Sequence, residues 1–251
     1  MHFIEMEQFI EQEVTDAVSR HFPLDWKEDS ITHDMLIRLR SRFRHVALFG
    51  LRIPIHLDWE IYKLHGTREK YFGDIGVLLR YRMPTGNVIE GAGFLEAKVR
   101  GRNSTNFPHV RPDQITRILS RSPQTRLVLY DYNPVAVLDD FDYSRHHFHR
   151  PPYALVTHAP VLPLQLASAV GQYDDTLYRF CTSFSRQFTR RYFHLHDLDF
   201  SKQAIDSVKG FPSELGSPNV VMVVRVAPQE QELPERVPLN DNTYGSIDDN
   251  G

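Results

Sequence analysis

The chain has 251 residues and a net charge of −3, and 41% of its residues are hydrophobic and 24% charged. This composition is typical of a globular protein, and the weak negative charge excludes a uniformly basic nucleic-acid-coating protein. The single cysteine, Cys181, excludes an internal disulfide and argues against a cysteine-based zinc site. Because no apolar run approaches about 18 residues and the acidic N-terminus lacks a signal-peptide pattern, we expect a cytoplasmic protein with no membrane partner.

Hydrophobic periodicity predicts the elements of the N-terminal half. Residues 3–20 carry apolar side chains at helical spacing, and a second helix is predicted from Thr32 to Arg44. Residues 52–62 alternate between apolar and polar side chains, which is typical of a half-buried strand. The next predicted elements are two strands at 73–81 and 94–99 joined by a turn, a helix at 111–119 and a strand at 126–132.

The C-terminal half predicts a strand at 153–157, a long helix at 173–194, a short helix at 201–209 and a buried strand at 220–226. From Ala227 onward the chain is polar and proline-rich, so we expect a disordered tail. The predicted organisation is therefore an N-terminal helical extension (1–28), a main domain (29–226) and a disordered tail (227–251).

Three charged residues of the predicted hairpin are expected to lie together. Because strand side chains alternate between faces, Glu96 and Lys98 point the same way and Ala97 points the other way. A pivot near Thr85 and Gly86 brings Asp74 roughly opposite Ala97, within one residue of both Glu96 and Lys98. A bulge at Gly91 or Gly93 would shift this register by one residue.

Two carboxylates and a lysine at one place have a recognisable chemistry. Carboxylate oxygens bind hard divalent cations such as Mg²⁺, and a neighbouring lysine orients a water molecule and favours its deprotonation. Asp74, Glu96 and Lys98 therefore indicate metal-assisted hydrolysis of a phosphodiester. The alternative is a surface hairpin with a solvated Glu–Lys pair.

At these residues the chain resembles the PD-(D/E)XK nuclease superfamily. The resemblance covers roughly residues 30–135 and includes Asp74, the Glu96-Ala97-Lys98 triplet, the helix that contains Gln114, and the following apolar strand. The motif's proline is replaced by Gly73. The resemblance implies an α/β fold with a mixed sheet, namely a restriction-endonuclease-like αβββαβ core with helical additions at both ends.

The resemblance also implies roles for these residues. Asp74 and Glu96 would bind Mg²⁺, for which Mn²⁺ could substitute, and Lys98 would hold the attacking water. Gln114 would position that water or Lys98 through hydrogen bonds, since an amide does not titrate usefully. Such sites often have a fourth acid from upstream, and the candidates are Asp58, Glu60 and, by slight preference, Glu69.

Basic residues near this site are candidates for contacts with phosphates. They are Arg100, Arg102, Arg117 and Arg121. Helical spacing aligns Gln114, Arg117 and Arg121, although a merely solvated helix face remains the alternative. A separate group, His146, His147 and His149, has spacing that allows metal binding but is more typical of a polar surface loop.

The sequence thus predicts a Mg²⁺-dependent nuclease that acts on DNA, and by analogy serves bacterial antiviral defence, restriction or DNA processing. Two alternatives stay open: a catalytically silent nucleic-acid-binding or assembly module, and a nuclease that acts on RNA. A regulatory or helicase partner and a homodimer are both compatible with the sequence, which does not determine specificity or the mode of cleavage.

Overall fold

A computed structural model of the chain describes residues 1–49, 53–65, 72–137, 155–211 and 216–247. The α-helices are α1 (Phe3–His21), α2 (Glu28–Phe43), α3 (Pro112–Leu119), α4 (Leu164–Val170), α5 (Phe184–Arg186) and α6 (Lys202–Val208). The strands are β1 (Val46–Leu48), β2 (Ile55–Leu64), β3 (Ile75–Arg82), β4 (Val88–Val99), β5 (Arg126–Tyr130), β6 (Val135–Val137), β7 (Leu155–Thr157), β8 (Pro160–Pro163), β9 (Thr182–Ser183), β10 (Val220–Pro228) and β11 (Tyr244–Ser246). None of the helices in these ranges combines the length and the apolar character needed to cross a bilayer.

A large mixed sheet organises the described residues. Its strand order is β1-β2-β10-β3-β4-β5-β8-β9, and β11 pairs with the end of β2 beyond β1. β3 and β4 are antiparallel, whereas β4 and β5 are parallel and are connected through α3. The expected α/β class with a mixed sheet is therefore confirmed. The predicted elements from α2 to β5 follow in the expected order, but an unpredicted strand, β1, lies between α2 and β2.

Both faces of the sheet are covered. One face packs on α1, α2 and the segment from α5 to Phe193, where Met6, Met35 and Phe188 are almost completely buried. The opposite face carries two further apolar clusters, one beneath α6 and one beneath α3 and α4. Helix α1, predicted as an extension, shares the main apolar cluster with the sheet, because its apolar stripe has nowhere else to be buried.

The β3–β4 hairpin pairs in a continuous register in which Ile75 is opposite Leu95. Continuing it by one residue places Asp74 opposite Glu96, one position from the predicted register, so that both carboxylates belong to one face. No bulge forms at Gly91 or Gly93. At Gly93 an added Cβ would lie 3.0 Å from the Tyr192 ring, so this glycine makes room for a packed side chain.

Strand β10 lies between β2 and β3, parallel to β3 and antiparallel to β2. The expectation of a buried strand at 220–226 is confirmed, and all nine residues of β10 are buried. Its apolar run, interrupted only by Arg225, is typical of a strand covered on both faces. The predicted αβββαβ run is consequently interrupted in space by a strand from the C-terminal half.

The predicted long helix at 173–194 is wrong. A short 3₁₀-helix (Asp175–Phe180) ends at Cys181, whose backbone is extended, and β9 then pairs with β8. Helical structure resumes only at α5, where the Ser183 side chain accepts a hydrogen bond from the Arg186 N–H. The apolar spacing was continuous, but strand pairing and this N-cap divide the segment.

The expectation of disorder from Ala227 is also wrong for residues 227–247. Val237 and Leu239 are buried in the apolar cluster beneath α6, and β11 pairs with β2. These few apolar residues order a polar segment because the sheet offers them an apolar surface and an unpaired strand edge. Residues 248–251 lie outside the described ranges.

Candidate functional site

Asp74 follows Gly73, a residue whose backbone conformation favours glycine. Gly73 has φ of +86°, and a Cβ on it would lie 2.8 Å from the carbonyl oxygen of Leu95. Glycine therefore allows the chain to pass close to β4 just before β3 begins. The Asp74 carboxylate then accepts a hydrogen bond of 2.8 Å from the Ala97 N–H, which fixes it against β4.

Glu96 and Lys98 lie at the carboxyl end of β4, and both are nearly completely buried. The Lys98 Nζ lies 2.5 Å from Glu96 Oε1, 3.9 Å from Asp74 Oδ2 and 2.8 Å from the carbonyl oxygen of Ala97. The structure thus brings together the three charged residues that the sequence predicted.

A third carboxylate, missed by the sequence analysis, completes this group. Glu28, in the first turn of α2, places its Oε2 at 3.3 Å from the Lys98 Nζ. The preceding Trp26 donates a hydrogen bond of 2.7 Å from Nε1 to the carbonyl oxygen of Arg100, so the start of α2 is tied to the end of β4. The signal for Glu28 in the sequence was weak, since it consisted only of an acidic residue at the beginning of a helix. We call Asp74, Glu96, Lys98 and Glu28 the acidic cluster.

Lys98 is held in its charged form. Burial disfavours the ammonium, but the negative charges of Asp74, Glu96 and Glu28 outweigh burial and raise the pKa of Lys98 above its ordinary value. Lys98 is therefore protonated at neutral pH. It can donate hydrogen bonds and stabilise negative charge, but it is not a base in this state.

Gln114 reaches the acidic cluster from α3. Its Nε2 donates a hydrogen bond of 2.6 Å to Glu96 Oε1, the same oxygen that contacts Lys98. Pro112 is the first residue of α3, a position at which its missing N–H costs nothing, and Gln114 follows in the first turn. Gln114 thus orients Glu96, whereas we predicted that Gln114 would position the attacking water or Lys98.

The three candidates for a fourth acid have different outcomes. The predictions of Asp58 and Glu60 are wrong, because both residues lie on β2 and pair with Arg225 of β10. They lie five and three residues before Lys63 along β2, and β10 separates them from β3, so both are distant from the acidic cluster at the start of β3 and the end of β4. Glu69 and the His146–His149 group lie outside the described residues.

The predicted phosphate contacts divide into two groups. Arg100 is turned inward: it pairs with the fully buried Asp131 at 2.7 Å, because a buried carboxylate needs a cation. Arg102 is exposed and donates a hydrogen bond to the carbonyl oxygen of Pro23. Arg117 and Arg121 are both exposed, and Arg117 faces the acidic cluster across a cleft, whereas Arg121 lies beyond the last residue of α3.

Two clefts adjoin the acidic cluster. One, of 540 Å³, extends from Glu28 and Lys98 toward α3, and we call it the arginine cleft. The other, of 390 Å³, extends from Glu28 and Asp74 toward β10 and β2, and we call it the histidine cleft. Besides Lys98, the basic side chains of the arginine cleft are Lys27, His109, Arg111 and Arg117, and those of the histidine cleft are His33 and Lys63.

The acidic cluster has the donor chemistry of a Mg²⁺ site. Oxygens of Asp74, Glu96 and Ala97 surround one positive charge, the Lys98 ammonium, and hard oxygen atoms are what Mg²⁺ prefers. Across the described ranges, no three or more His, Cys, Asp or Glu side chains converge closely enough to form a metal site. Two carboxylates with substrate and water oxygens would suffice, because Mg²⁺ usually keeps several waters.

Comparisons with known proteins identify no relative. The chain matches no protein-family model, and no match to it was found among curated proteins or solved structures.

Proposed function

We propose that this protein is a Mg²⁺-dependent nuclease that hydrolyses phosphodiester bonds of DNA, with the acidic cluster as its active site. The observation that carries the proposal is the convergence of Asp74 and Glu96 on one buried lysine, with Gln114 bonded to Glu96. The segment from α2 to β5 would then be a restriction-endonuclease-like core into which β10 is inserted. The resemblance to PD-(D/E)XK nucleases supports both inferences.

In this mechanism each residue has one role. Asp74 and Glu96 would hold Mg²⁺, which supplies a polarised phosphate and a more acidic water when bound. Asp74 is fixed by the Ala97 N–H and Glu96 by Gln114, so the two carboxylates are oriented before substrate arrives. Lys98 would donate a hydrogen bond to the attacking water or to the phosphate oxygen that gains negative charge.

A second candidate is a catalytically silent module that binds nucleic acid. The observation that favours it is the Lys98 ammonium itself, which already lies among the carboxylates where a metal ion would be needed. The two candidates differ in one measurable respect: a silent module binds nucleic acid without cutting it.

The deciding experiment incubates the purified protein with supercoiled plasmid, linear DNA and RNA in Mg²⁺, Mn²⁺ or EDTA. Asp74→Asn and Lys98→Ala test the acidic cluster. Lys202→Ala is the matched control, because it removes a lysine charge from the exposed surface of α6. Circular dichroism verifies the folding of each variant.

We expect metal-dependent cleavage by the wild type and the control, and none by the two cluster variants. Cleavage of RNA but not of DNA would show that the substrate is RNA and would leave the proposed metal-dependent chemistry unchanged. A folded wild type that binds DNA but cuts nothing with either metal would favour the silent module, and full cleavage by Asp74→Asn would exclude the acidic cluster as the active site.

A further inference from the structure

One of the residues that line the histidine cleft, His33, has a buried ring nitrogen without a partner. The Nδ1 of His33 is buried and forms no hydrogen bond with any described residue. A buried polar atom without a partner is costly, and natural proteins usually satisfy such atoms with water or ligand. His33 belongs to α2 and lines the same cleft as Glu28, one helical turn from the cleft residue Asp29.

The cation of the histidine cleft, Lys63, acts electrostatically on His33. The positive charge of Lys63 contributes, after burial, to lowering the pKa of His33. Lys63 is exposed and forms no ion pair with any part of the chain that the structure describes. An anion beside Lys63 would offset the positive charge of Lys63 and accept a hydrogen bond from the neutral His33 ring.

The sheet fixes the position of Lys63 relative to the acidic cluster. Lys63 pairs with Val220 of β10, Val220 pairs with Ile75 of β3, and Ile75 pairs with Leu95 of β4. These residues form one row across the sheet, and the carboxylates of Asp74 and Glu96 are each one residue from it. Because neighbouring strands are about 4.8 Å apart, the Lys63 backbone is roughly 10 Å from that of Ile75.

From this geometry we infer that His33 and Lys63 form a second phosphate-binding subsite, which holds a phosphate of the substrate strand on the side of the scissile bond opposite to α3. The inference rests on the proposed nuclease function and adds to it the path that the substrate strand takes through the two clefts. The strand would enter along Arg111 and Arg117 in the arginine cleft, cross the acidic cluster and leave through the histidine cleft. The flexible Lys63 side chain would contact the phosphate as a point charge, and His33 would donate one hydrogen bond.

The acidic residues of the histidine cleft explain why the proposed subsite lies away from the acidic cluster. Glu28 and Asp74, which lie at Lys98 near the end of β4, would repel a phosphate that lacks a metal ion, whereas Asp29 lies one helical turn from His33. Lys63 lies on β2, on the other side of β10, so a phosphate there avoids most of that repulsion. The subsite therefore fits a polynucleotide that spans both ends of the cleft better than a small diester.

The test compares two substrates in Mg²⁺ with the full-length wild type, Lys63→Ala, His33→Gln and the control Lys202→Ala. One substrate is a DNA oligonucleotide, and the other is bis(p-nitrophenyl) phosphate, a diester without flanking phosphates. We expect Lys63→Ala to raise the KM for the oligonucleotide about threefold to tenfold and to leave hydrolysis of the small diester unchanged. His33→Gln should act in the same direction.

Binding of a fluorescent oligonucleotide, followed by anisotropy as salt is varied, provides an independent readout. Removal of one phosphate contact should lower the slope of log affinity against log salt by about one for Lys63→Ala and not for Lys202→Ala. An unchanged slope and KM in Lys63→Ala would overturn the subsite, as would equal losses on both substrates. If the wild type cleaves neither substrate, the nuclease proposal fails, while the binding slopes still decide the subsite.

Discussion

Two groups of charged side chains in the same sheet differ in their balance of charge. On β2 and β10, Asp58 and Glu60 share Arg225, and Glu60 also lies 3.1 Å from Arg236. These are two carboxylates and two guanidinium groups. Each buried negative charge therefore has a cation of its own, as expected for a group that only holds strands together.

The acidic cluster is different, because among the ion pairs of the described residues Asp74, Glu96 and Glu28 all lie near one ammonium, that of Lys98. Three carboxylates around one cation are unfavourable in a nearly buried position unless another positive charge arrives. A surplus of charge that the fold itself does not need is typical of a binding or catalytic site. The comparison therefore supports the proposal that the acidic cluster is a functional site, without reference to any relative.

Removing a cation from the charge-balanced group on β2 and β10 (Asp58, Glu60, Arg225 and Arg236) should have the largest effect on stability. Arg225→Met leaves Asp58 and Glu60 in the interior without their shared guanidinium, so we expect the free energy of unfolding to fall by about 3–5 kcal/mol. Urea denaturation measures this loss. Lys202→Met, which removes an exposed cation, is the control and should change little. A comparably small loss for Arg225→Met would show that the group is not needed for stability.

Removing a carboxylate from the acidic cluster should leave stability unchanged or raise it, and should lower cleavage. Glu96→Gln keeps the side-chain shape but removes one of three crowded negative charges, so we expect unchanged or higher stability without metal. Cleavage of DNA should fall by about 10²–10³-fold, as when a group that stabilises the transition state is lost. Thermal unfolding and a plasmid assay on the same sample measure both. Marked destabilisation with normal cleavage would assign Glu96 to the structure alone.

The glycine before Asp74 offers a sharper test of geometry. Gly73 and Gly86 both have positive φ, but a Cβ meets Leu95 at Gly73 and nothing within 4 Å at Gly86. Gly86→Ala should cost about 1 kcal/mol for its backbone conformation, whereas Gly73→Ala should cost about 1–3 kcal/mol and also lower cleavage, because Asp74 is displaced. Equal effects of the two substitutions in denaturation and cleavage assays would contradict the role of Gly73.

A third charged group, around Asp197, should produce the smallest effect, visible only in acid. Burial opposes ionisation of this carboxyl, but the Arg191 hydrogen bonds and the charge of Arg126 hold its pKa at about 2. The unfolded chain binds this proton at higher pH than the folded one. The stabilisation is therefore complete above about pH 4 and is lost as the pH falls toward 2. Asp197→Asn should remove that part of the pH dependence of unfolding; an identical profile would contradict the assignment.

Short-range patterns explain which parts of the fold were predictable. Alternation along β3 and β4 and a turn near Thr85 were sufficient to bring Asp74 near Glu96 and Lys98, because a hairpin is a local structure. Apolar spacing likewise located α1 and α3 within a residue or two. The same spacing failed between Tyr173 and His194, where a strand pairing to β8 divides the predicted helix. Periodicity reports which side chains are buried, not which hydrogen bonds the backbone makes.

The sequence by itself determined the hairpin, the helix of Gln114 and the three charged residues of the predicted site. Only the tertiary structure decided that β10 separates β2 from β3, that Glu28 completes the acidic cluster and that Arg100 turns inward to Asp131. Each of these outcomes joins residues that are distant in the chain. Such contacts depend on which surfaces remain to be covered once the local elements have formed, and no local pattern specifies that choice.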